Sequence, residues 1–434
     1  MTDTHTSSAP ATGVVAISPE DDGDTCAAVT RAWVEEQVPI AWREAAESGG
    51  HSAVRAVRTR EAYAAWYPVF GASGLVMPAW APEHGGLGVS VDAARAIATV
   101  LAPYNLRPLN QLGLNNAAAA LLSHGTDEQR RRFLPPIVRN DEVWCQLFSE
   151  PGAGSDLASL ATKAVRDGDR WRITGQKVWT TWAGDADWAI LLARTNPEAP
   201  KNRGITYFLI DLDQPGVQIR PLRHLTGEIE FNEVFLDDAV VEDAHRVGAV
   251  DDGWRVAGST LSSERQMVAG AGSGGIGRVG GAGTARLIRR ARELGRWDEP
   301  VVRDRLIALW SEERIREWTN ARVRASAVAG HGAGAAASIG KVHQGSLNQR
   351  LQLMATDLLG PAALAWESDS GGTGPGAYAD GLPFEVEGML RSRANTIEGG
   401  TTEVNKNILG ERVLGLPREP DQWHGRPWKE VPRT

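Results

Sequence analysis

Two stretches of this chain carry side chains and backbone suited to holding a small-molecule group. The first is QLFSEPGAGSDLAS at 146–159, where a glycine-rich turn offers backbone N–H groups beside the hydroxyls of Ser149 and Ser155. Such a turn donates hydrogen bonds to an anionic or carbonyl-rich ring. The second is ITGQKVWTTWAGDADW at 173–188, in which Trp179 supplies a flat apolar wall. Gly-Ala-Gly-Ser at 152–155 would by itself be an ordinary surface turn; its pairing with the tryptophan-bearing run points to a site. A third stretch, GAGSGGIGRVGGAG at 270–283, contains a formal G-x-G-x-x-G at Gly272, Gly274 and Gly277. A dinucleotide fingerprint must follow a strand and open a helix, whereas LSSERQMVAGA ahead of this one reads as helix. It is read as a glycine-rich helix held by its packing, since each Gly costs about 0.8–1 kcal/mol relative to Ala.

Other chemistries lack their residues. The nine histidines show no H-E-x-x-H or paired spacing, so no metal site is expected, and no G-x-S-x-G points to nucleophilic catalysis. His343 is read as solvated, and Arg130, Arg131 and Arg132 beside Asp127 and Glu128 as a solvated helix face. Two cysteines among 434 residues are too few for a disulfide framework and suit a reducing compartment. A net charge of −8 gives no field to attract nucleic acid. Without an apolar run near the ~18 residues of a membrane span, and with MTDTHTSSAPATG unlike a signal peptide, a soluble cytoplasmic protein is expected.

The elements that must position these residues follow from hydrophobic period. Residues 1–25, rich in Ser, Thr, Ala, Pro and Asp, are expected to be a disordered tail. Helical spacing runs over 26–143, in segments such as VDAARAIATVLA and NNAAAALLSH. Over 144–250 the period falls to two: RWRIT, DWAILLAR, GITYFLIDL and IEFNEVFLDD read as strands, with Asp167-Gly168 as a turn. Helical spacing returns over 251–416, where Leu347, Leu351, Met354 and Leu358 share one face, as in a bundle. SDSGGTGPGAYADG at 368–381 is expected to be an extended loop, and 417–434 a peripheral tail. The fold class is therefore multidomain α+β: helices, then a β-domain, then a helical bundle.

SEPGAGSD, GQKVWTTWA and the later GGTTEVNKNILGERVLGLP at 399–417 together resemble the signature segments of the acyl-CoA dehydrogenase flavoproteins, and the resemblance runs from PEHGGLG at 82 to LGLPREP at 420. It implies an N-terminal helical domain, a middle β-barrel-like domain and a C-terminal four-helix bundle, with FAD between domains and across a subunit interface, usually in tetramers. By motif, Gln146, Phe148 (through its backbone), Ser149, Trp179 and Thr181 match positions at the flavin ring. Gly154 and Ser155 match the flavin and CoA phosphate region, and Thr401 and Glu403 the positions that hold the dinucleotide half of FAD. Gln146 and Phe148 depart from the residues usual there, which implies an adjusted flavin pocket. The Gln-x-x-Gly-Gly element appears as Asp357-Leu358-Leu359-Gly360-Pro361, and Arg-x-x-Phe-Gly is replaced by ARELGRWDEP at 291–300. Asp357 and Gly360 thus stand where a partner subunit normally contacts FAD.

The family reaction removes an α-proton from an acyl thioester and passes a β-hydride to flavin N5, so it needs a carboxylate facing the flavin. Many members carry that Glu immediately before the Gly-Thr pair; here Gly399 occupies the position and Glu398 lies one residue early. Other members, mainly those acting on branched, long or bulky acyl groups, take the base from the first helix of the bundle, which matches Glu264. Glu264 is the expected base, with Arg265 beside it as a CoA or charge partner and Glu398 as the alternative. Gly399 leaves room for a wide substrate. The implied acceptor is an electron-transfer flavoprotein or similar, and the assembly a homotetramer or a heterotetramer with a related subunit. The departures at the partner-side elements keep open a non-catalytic or half-site subunit. A flavin oxygenase or a carrier-protein desaturase of the same fold is the other alternative.

Overall fold

The computed structural model describes residues 13–269, 283–326, 337–364 and 382–432, and the chain divides into two compact units. The first comprises residues 1–145 and 186–188, the second 146–185 and 189–434.

In the first unit the helices are α1 (Gly23–Gln37), α2 (Ile40–Val57), α3 (Arg60–Ala72), α4 (Val91–Leu101), α5 (Ala118–His124) and α6 (Asp127–Arg139). Their starts are written in the sequence. Asp22, Thr59 and Ser90 accept from the backbone N–H three residues on, and Thr126 with Gln129 forms a reciprocal capping box. Aromatic rings fill the space between helices: Trp66 stacks on Phe70 with centroids 6.3 Å apart, and Trp42 meets Trp66 edge-on at 5.3 Å. Arg58 lies 4.0 Å over the Tyr63 ring and donates to the carbonyls of Tyr104 and Asn105. The disordered tail expected over 1–25 is corrected for residues 13–25: Val15 is buried, its N–H bonds Ser73, and Asp22 caps α1, while residues 1–12 lie outside the described residues.

From β1 (Trp144–Leu147) the chain passes into the second unit. The further strands are β2 (Lys163–Asp167), β3 (Arg170–Thr181), β4 (Trp188–Arg194), β5 (Ile205–Asp211), β6 (Val217–Leu222), β7 (Phe231–Glu242) and β8 (Arg246–Val247). They form one sheet in the order β6-β7-β3-β2-β4-β5-β8. Asp167 faces Arg170 across the β2–β3 hairpin, with Gly168 left-handed in its turn. β3 alternates buried and exposed residues along its first half, whereas β4 is buried throughout, as its unbroken apolar run requires. The paired register of β3 and β7 shifts between Lys177 and Thr180, a bulge that re-aims the strand at Trp179.

Beyond the sheet come α7 (Gly253–Ala269), α8 (Thr284–Glu293), α9 (Pro300–Ser326), α10 (Ala337–Leu359), α11 (Phe384–Arg391) and α12 (Thr402–Ile408). Leu347, Leu351, Met354 and Leu358 of α10 are buried against Leu287 and Ala291 of α8 and Leu306 and Leu309 of α9, as their spacing predicts. The loop expected at 368–381 and all but Gly283 of the glycine cluster at 270–283 lie outside the described residues. Two expectations are corrected. His343 is half-buried with Nε2 3.3 Å from Glu312, which also pairs with Arg350. The C-terminal tail is docked: Trp428 is buried and its N–H bonds the Ala199 carbonyl at 2.8 Å. No helix among the described residues is long and apolar enough to cross a membrane.

Leu351 is fully buried in the α8–α9–α10 core. Leu351→Ala should lower the unfolding free energy by about 2–5 kcal/mol, the range for a large-to-small core change. Urea titration followed by circular dichroism measures this.

Candidate active site

A buried ion pair fastens the two sequence runs to each other. Lys177 on β3 is completely buried, and its ammonium donates to the Glu150 carboxylate at 2.8 Å, the Phe148 carbonyl at 3.0 Å and the Leu192 carbonyl at 2.9 Å. Glu150 also accepts from the N–H groups of Ala161 at 2.7 Å and Thr162 at 2.9 Å. Burial works against both charges. At Glu150 it is outweighed by the Lys177 cation and the donors around the carboxylate, which hold the acid below its ordinary range. At Lys177 burial prevails and holds the ammonium below the lysine range, with Glu150 pulling the other way. These residues link the start of the 150–162 segment, its end and two strands.

Around this pair stand the expected cofactor residues. The Ser149 carbonyl accepts from the Val178 N–H at 3.0 Å, so Ser149 and Trp179 are held on neighbouring segments. Trp179 has φ +62° and its residue surface is 57% exposed. A left-handed, open conformation is uncommon for a bulky residue and clusters at functional positions. The Phe148 ring instead turns inward against Tyr207, 6.0 Å between centroids, and Gln146 is half-buried in β1. Gly154 and Ser155 are exposed, and a Cβ at Gly154 would meet nothing within 4 Å. The hydroxyls of Ser149, Ser155 and Thr181 make no hydrogen bond among the described residues.

Trp179 leads directly to the C-terminal loop. Its ring meets Phe231 edge-on at 5.8 Å, and Arg391 lies over the other ring of that pair, 5.8 Å from the Phe231 centroid. Arg391 bonds Glu398 at 3.1 Å and approaches Glu230 at 3.4 Å. Burial disfavours the Arg391 cation, and the two carboxylates more than offset it. Both Glu398 oxygens are occupied, the second by the Asn395 amide at 2.9 Å. His224 sits beside this group with its Nε2 3.8 Å from Glu228; burial and the neighbouring Arg391 push its imidazole toward the neutral form.

Past Glu398 the chain turns through Gly399 at φ +63° and Gly400 at φ +85°, a consecutive left-handed pair that favours glycine. The buried Asn405 amide fixes the turn by donating to the Gly400 carbonyl at 3.0 Å and the Thr401 carbonyl at 2.9 Å. Thr401 caps α12 through the Val404 N–H, and Glu403 is exposed in the first helical turn. Asp357 pairs with Arg305 at 2.7 Å, and its carbonyl accepts from Arg296. No described hydrogen bond or ion pair joins Asp357 or Gly360 to the Trp179 group. Glu264 and Arg265 belong to α7, but their side chains lie outside the described residues. Sequence reasoning missed Glu150, Lys177, Phe231 and Arg391. The first two lie inside the quoted motifs, where an acid and a lysine in otherwise apolar or small-residue runs were the available signal.

Comparison with known proteins gives the class. The chain matches three family models: Acyl-CoA dehydrogenase, N-terminal domain over residues 25–141, middle domain over 145–239 and C-terminal domain over 251–414. It is 40% identical over 358 residues to Acyl-CoA dehydrogenase IpdE1 of Mycobacterium tuberculosis (strain ATCC 25618 / H37Rv), covering 82% of this chain and 88% of that one. It is 42% identical over 348 residues to Acyl-CoA dehydrogenase FadE34 of the same organism, covering 80% of this chain and 45% of that one. Among solved structures it resembles the Tcur3481-Tcur3483 steroid ACAD, with TM-score 0.68 and 27% identity over 91% of this chain and 98% of that chain. The ChsE4-ChsE5 complex from Mycobacterium tuberculosis gives TM-score 0.64 and 27% identity over 92% and 98%. The chain therefore belongs to the acyl-CoA dehydrogenase family, oxidoreductases of acyl-CoA. Its order of N-terminal helices, middle sheet and C-terminal helices is that family's fold.

Lys177→Met strands a buried carboxylate and should lower the unfolding free energy by about 3–5 kcal/mol at neutral pH. Because Glu150 is held below its unfolded value, its contribution is present above the ordinary carboxylate range and is lost as pH falls through the folded value. Wild-type stability should therefore drop more steeply below about pH 4 than that of Glu150→Gln. Parallel urea-derived stability curves for the two proteins would refute the assignment.

Proposed function

We propose that the chain is an FAD-dependent dehydrogenase of a bulky acyl-CoA, forming the 2,3-unsaturated thioester with Glu264 as base. The observation that carries the cofactor is Trp179, an exposed indole on a left-handed bulge beside Ser149 and Thr181, whose hydroxyls are uncommitted. A flat wall with hydrogen-bonding groups at its margin fits an isoalloxazine ring. Ser149, Trp179 and Thr181 would hold that ring, Gly154 and Ser155 the phosphate region, and Thr401 and Glu403 the dinucleotide half. When bound, FAD supplies at N5 the acceptor for the β-hydrogen and its electron pair.

The chain's own residues supply the proton chemistry. Glu264 takes the α-proton, and Arg265 serves the CoA or a neighbouring charge. Glu264 stands four residues beyond Thr260, whose hydroxyl is 3.1 Å from the buried Tyr207 hydroxyl; this contact docks the middle of α7 on β5. Glu398 is the weaker candidate, because accepting a carbon-bound proton would require it to give up its bonds from Arg391 and Asn395. The Gly399 and Gly400 N–H groups donate to nothing among the described residues and would bond the thioester oxygen as negative charge develops there. Absence of a side chain at Gly399 supports a wide acyl group, in keeping with a structural neighbour titled a steroid ACAD.

The working form is proposed to be a homotetramer or a heterotetramer with a related subunit, in the cytoplasm, passing electrons to an electron-transfer flavoprotein or similar acceptor. Exposed Ile307, Trp310 and Trp318 lie near one side of α9, apolar surface that assembly would cover. Two neighbours carry titles naming paired chains, and the buried, unpaired Cys26 and Cys145 suit a reducing compartment.

Anaerobic titration with straight-chain, branched and steroid-derived acyl-CoAs, read as bleaching of the flavin absorbance, tests this reading. Glu264→Gln should slow bleaching by about 10²–10⁴-fold, the usual contribution of a positioned base, whereas Glu398→Gln should retain it. Wild-type rates in Glu264→Gln with loss in Glu398→Gln would transfer the role to the loop acid.

A further inference from the structure

Residues 412–426 are exposed in sequence, and they lead to one buried side chain, Trp428. From residue 415 onward the chain lies beyond the C-terminal family match. Trp428 is anchored on the segment that follows Gly154 and Ser155. Its indole Nε1–H donates to the Ser159 carbonyl at 3.2 Å, and its ring covers the Arg194 guanidinium at 4.7 Å. Arg194 in turn donates to the carbonyls of Ala158 at 2.7 Å and Leu160 at 3.3 Å. The same guanidinium reaches the Lys201 carbonyl at 2.8 Å, while the Lys201 ammonium pairs with Asp156 at 2.8 Å. Backbone bonds seat the tail on the β4–β5 loop that carries Lys201: Trp428 N–H to Ala199 and Lys429 N–H to Pro197, with Lys429 also paired to Glu198 at 2.7 Å.

The carbonyls of residues 158, 159 and 160 are thus each taken by Arg194 or Trp428, and Asp156 by Lys201. Glu150 holds the N–H groups of 161 and 162. The segment from 156 to 162 is held at these points, whereas Gly154 and Ser155 immediately before it are exposed and uncommitted. We infer that residues 427–430 form a C-terminal latch that fixes the 154–160 turn for the phosphate-bearing part of its ligand. Trp428 acts in it as a positioning residue through Arg194. The tail reaches this segment at the Ser159 carbonyl and covers the guanidinium that holds the carbonyls on either side of it. The inference rests on the proposed role of Gly154 and Ser155 at the CoA phosphate region, and it adds a determinant of binding from outside the matched family domains.

The test uses the full-length protein and coenzyme A itself as probe, with its dissociation constant read by calorimetry and amide hydrogen exchange read at 156–162. Trp428→Ala should weaken coenzyme A about tenfold, the combined loss of a cation–π contact and a hydrogen bond, and speed exchange at 158–160 but not in β5. Trp428→Phe keeps a ring over Arg194 and should bind within about twofold of wild type while exchanging faster at the amides flanking Ser159. Ser155→Ala separates the two levels of the argument. Weakened binding in Ser155→Ala beside unchanged binding in Trp428→Ala overturns the latch alone. A silent Ser155→Ala moves the ligand off the turn and overturns both. Should Trp428→Ala not fold, Trp428→Leu decides, since it keeps apolar bulk but removes both the ring over Arg194 and the N–H: weakened coenzyme A binding with faster exchange at 158–160 upholds the latch and unchanged binding overturns it.

Discussion

The buried Lys177–Glu150 pair is the constraint on which the site depends. A wholly buried ammonium is tolerated only when its protons are all engaged, and Lys177 meets that condition by binding a carboxylate and two carbonyls. Those acceptors belong to the 146–150 segment and to β4, and Glu150 adds the N–H groups of 161 and 162. One ion pair therefore closes the glycine-rich turn as a loop with fixed ends and docks it on β3. With Lys177 immobilised, the bulge that follows has little freedom, and the Trp179 indole is delivered outward in a conformation that an unsupported strand would not keep. Replacement of such a pair by apolar residues is often neutral for stability. Its value here lies in orientation, since no apolar contact could bind three backbone segments by their carbonyl and N–H groups at once.

A second polar chain governs the C-terminal loop. Lys341 and Asn348 of α10 donate to Asn395, Asn395 donates to Glu398, and Glu398 pairs with Arg391, which covers the Phe231 ring against Trp179. The left-handed Gly399 and Gly400 are thereby held between a fixed acid on one side and the Asn405 amide on the other. An acid used in this way is a strut. Each Glu398 oxygen is engaged in holding the loop, one by Arg391 and the other by Asn395.

How much of this was legible in the sequence depends on whether the signal was local. The α10 stripe of Leu347, Leu351, Met354 and Leu358 was readable because helical period alone dictates which side chains share a face. β4 and β5 were readable as unbroken apolar runs. β6 was not: VQIRPL alternates only over its first four residues, carries Pro221 and has no buried position, and it becomes a strand through pairing with β7. The same holds for the site. Ser149 and Trp179 stood in motifs, but Arg391 and Phe231 meet across 160 positions of sequence and carry no local mark of that contact. Glu150 and Lys177 could have been suspected as opposite charges in two segments already taken to be adjacent. The docking of the tail was hidden for a different reason. Residues 417–427, proline-rich and exposed through 426, have the composition of a free end, and the tryptophan after them reverses that reading.

Several tryptophans of this chain pack through a partnered indole N–H, and Trp179 contrasts with them. Where its indole N–H has a partner, the ring packs as a structural wedge: Trp66 bonds Gln37, Trp171 bonds Asp243 at 2.7 Å, and Trp428 bonds Ser159. An amphipathic side chain of this size is worth burying when both its ring and its N–H are satisfied. Trp179 breaks the pattern, with an exposed ring, an unusual φ and only the edge of Phe231 for company. Leaving so large an apolar face in water is unfavourable, and the strain of the left-handed backbone adds to it. Both costs are borne at the one place where the sheet, the glycine-rich turn and the Arg391–Glu398 strut converge. A conformation that the isolated chain disfavours is thus enforced by three separate elements.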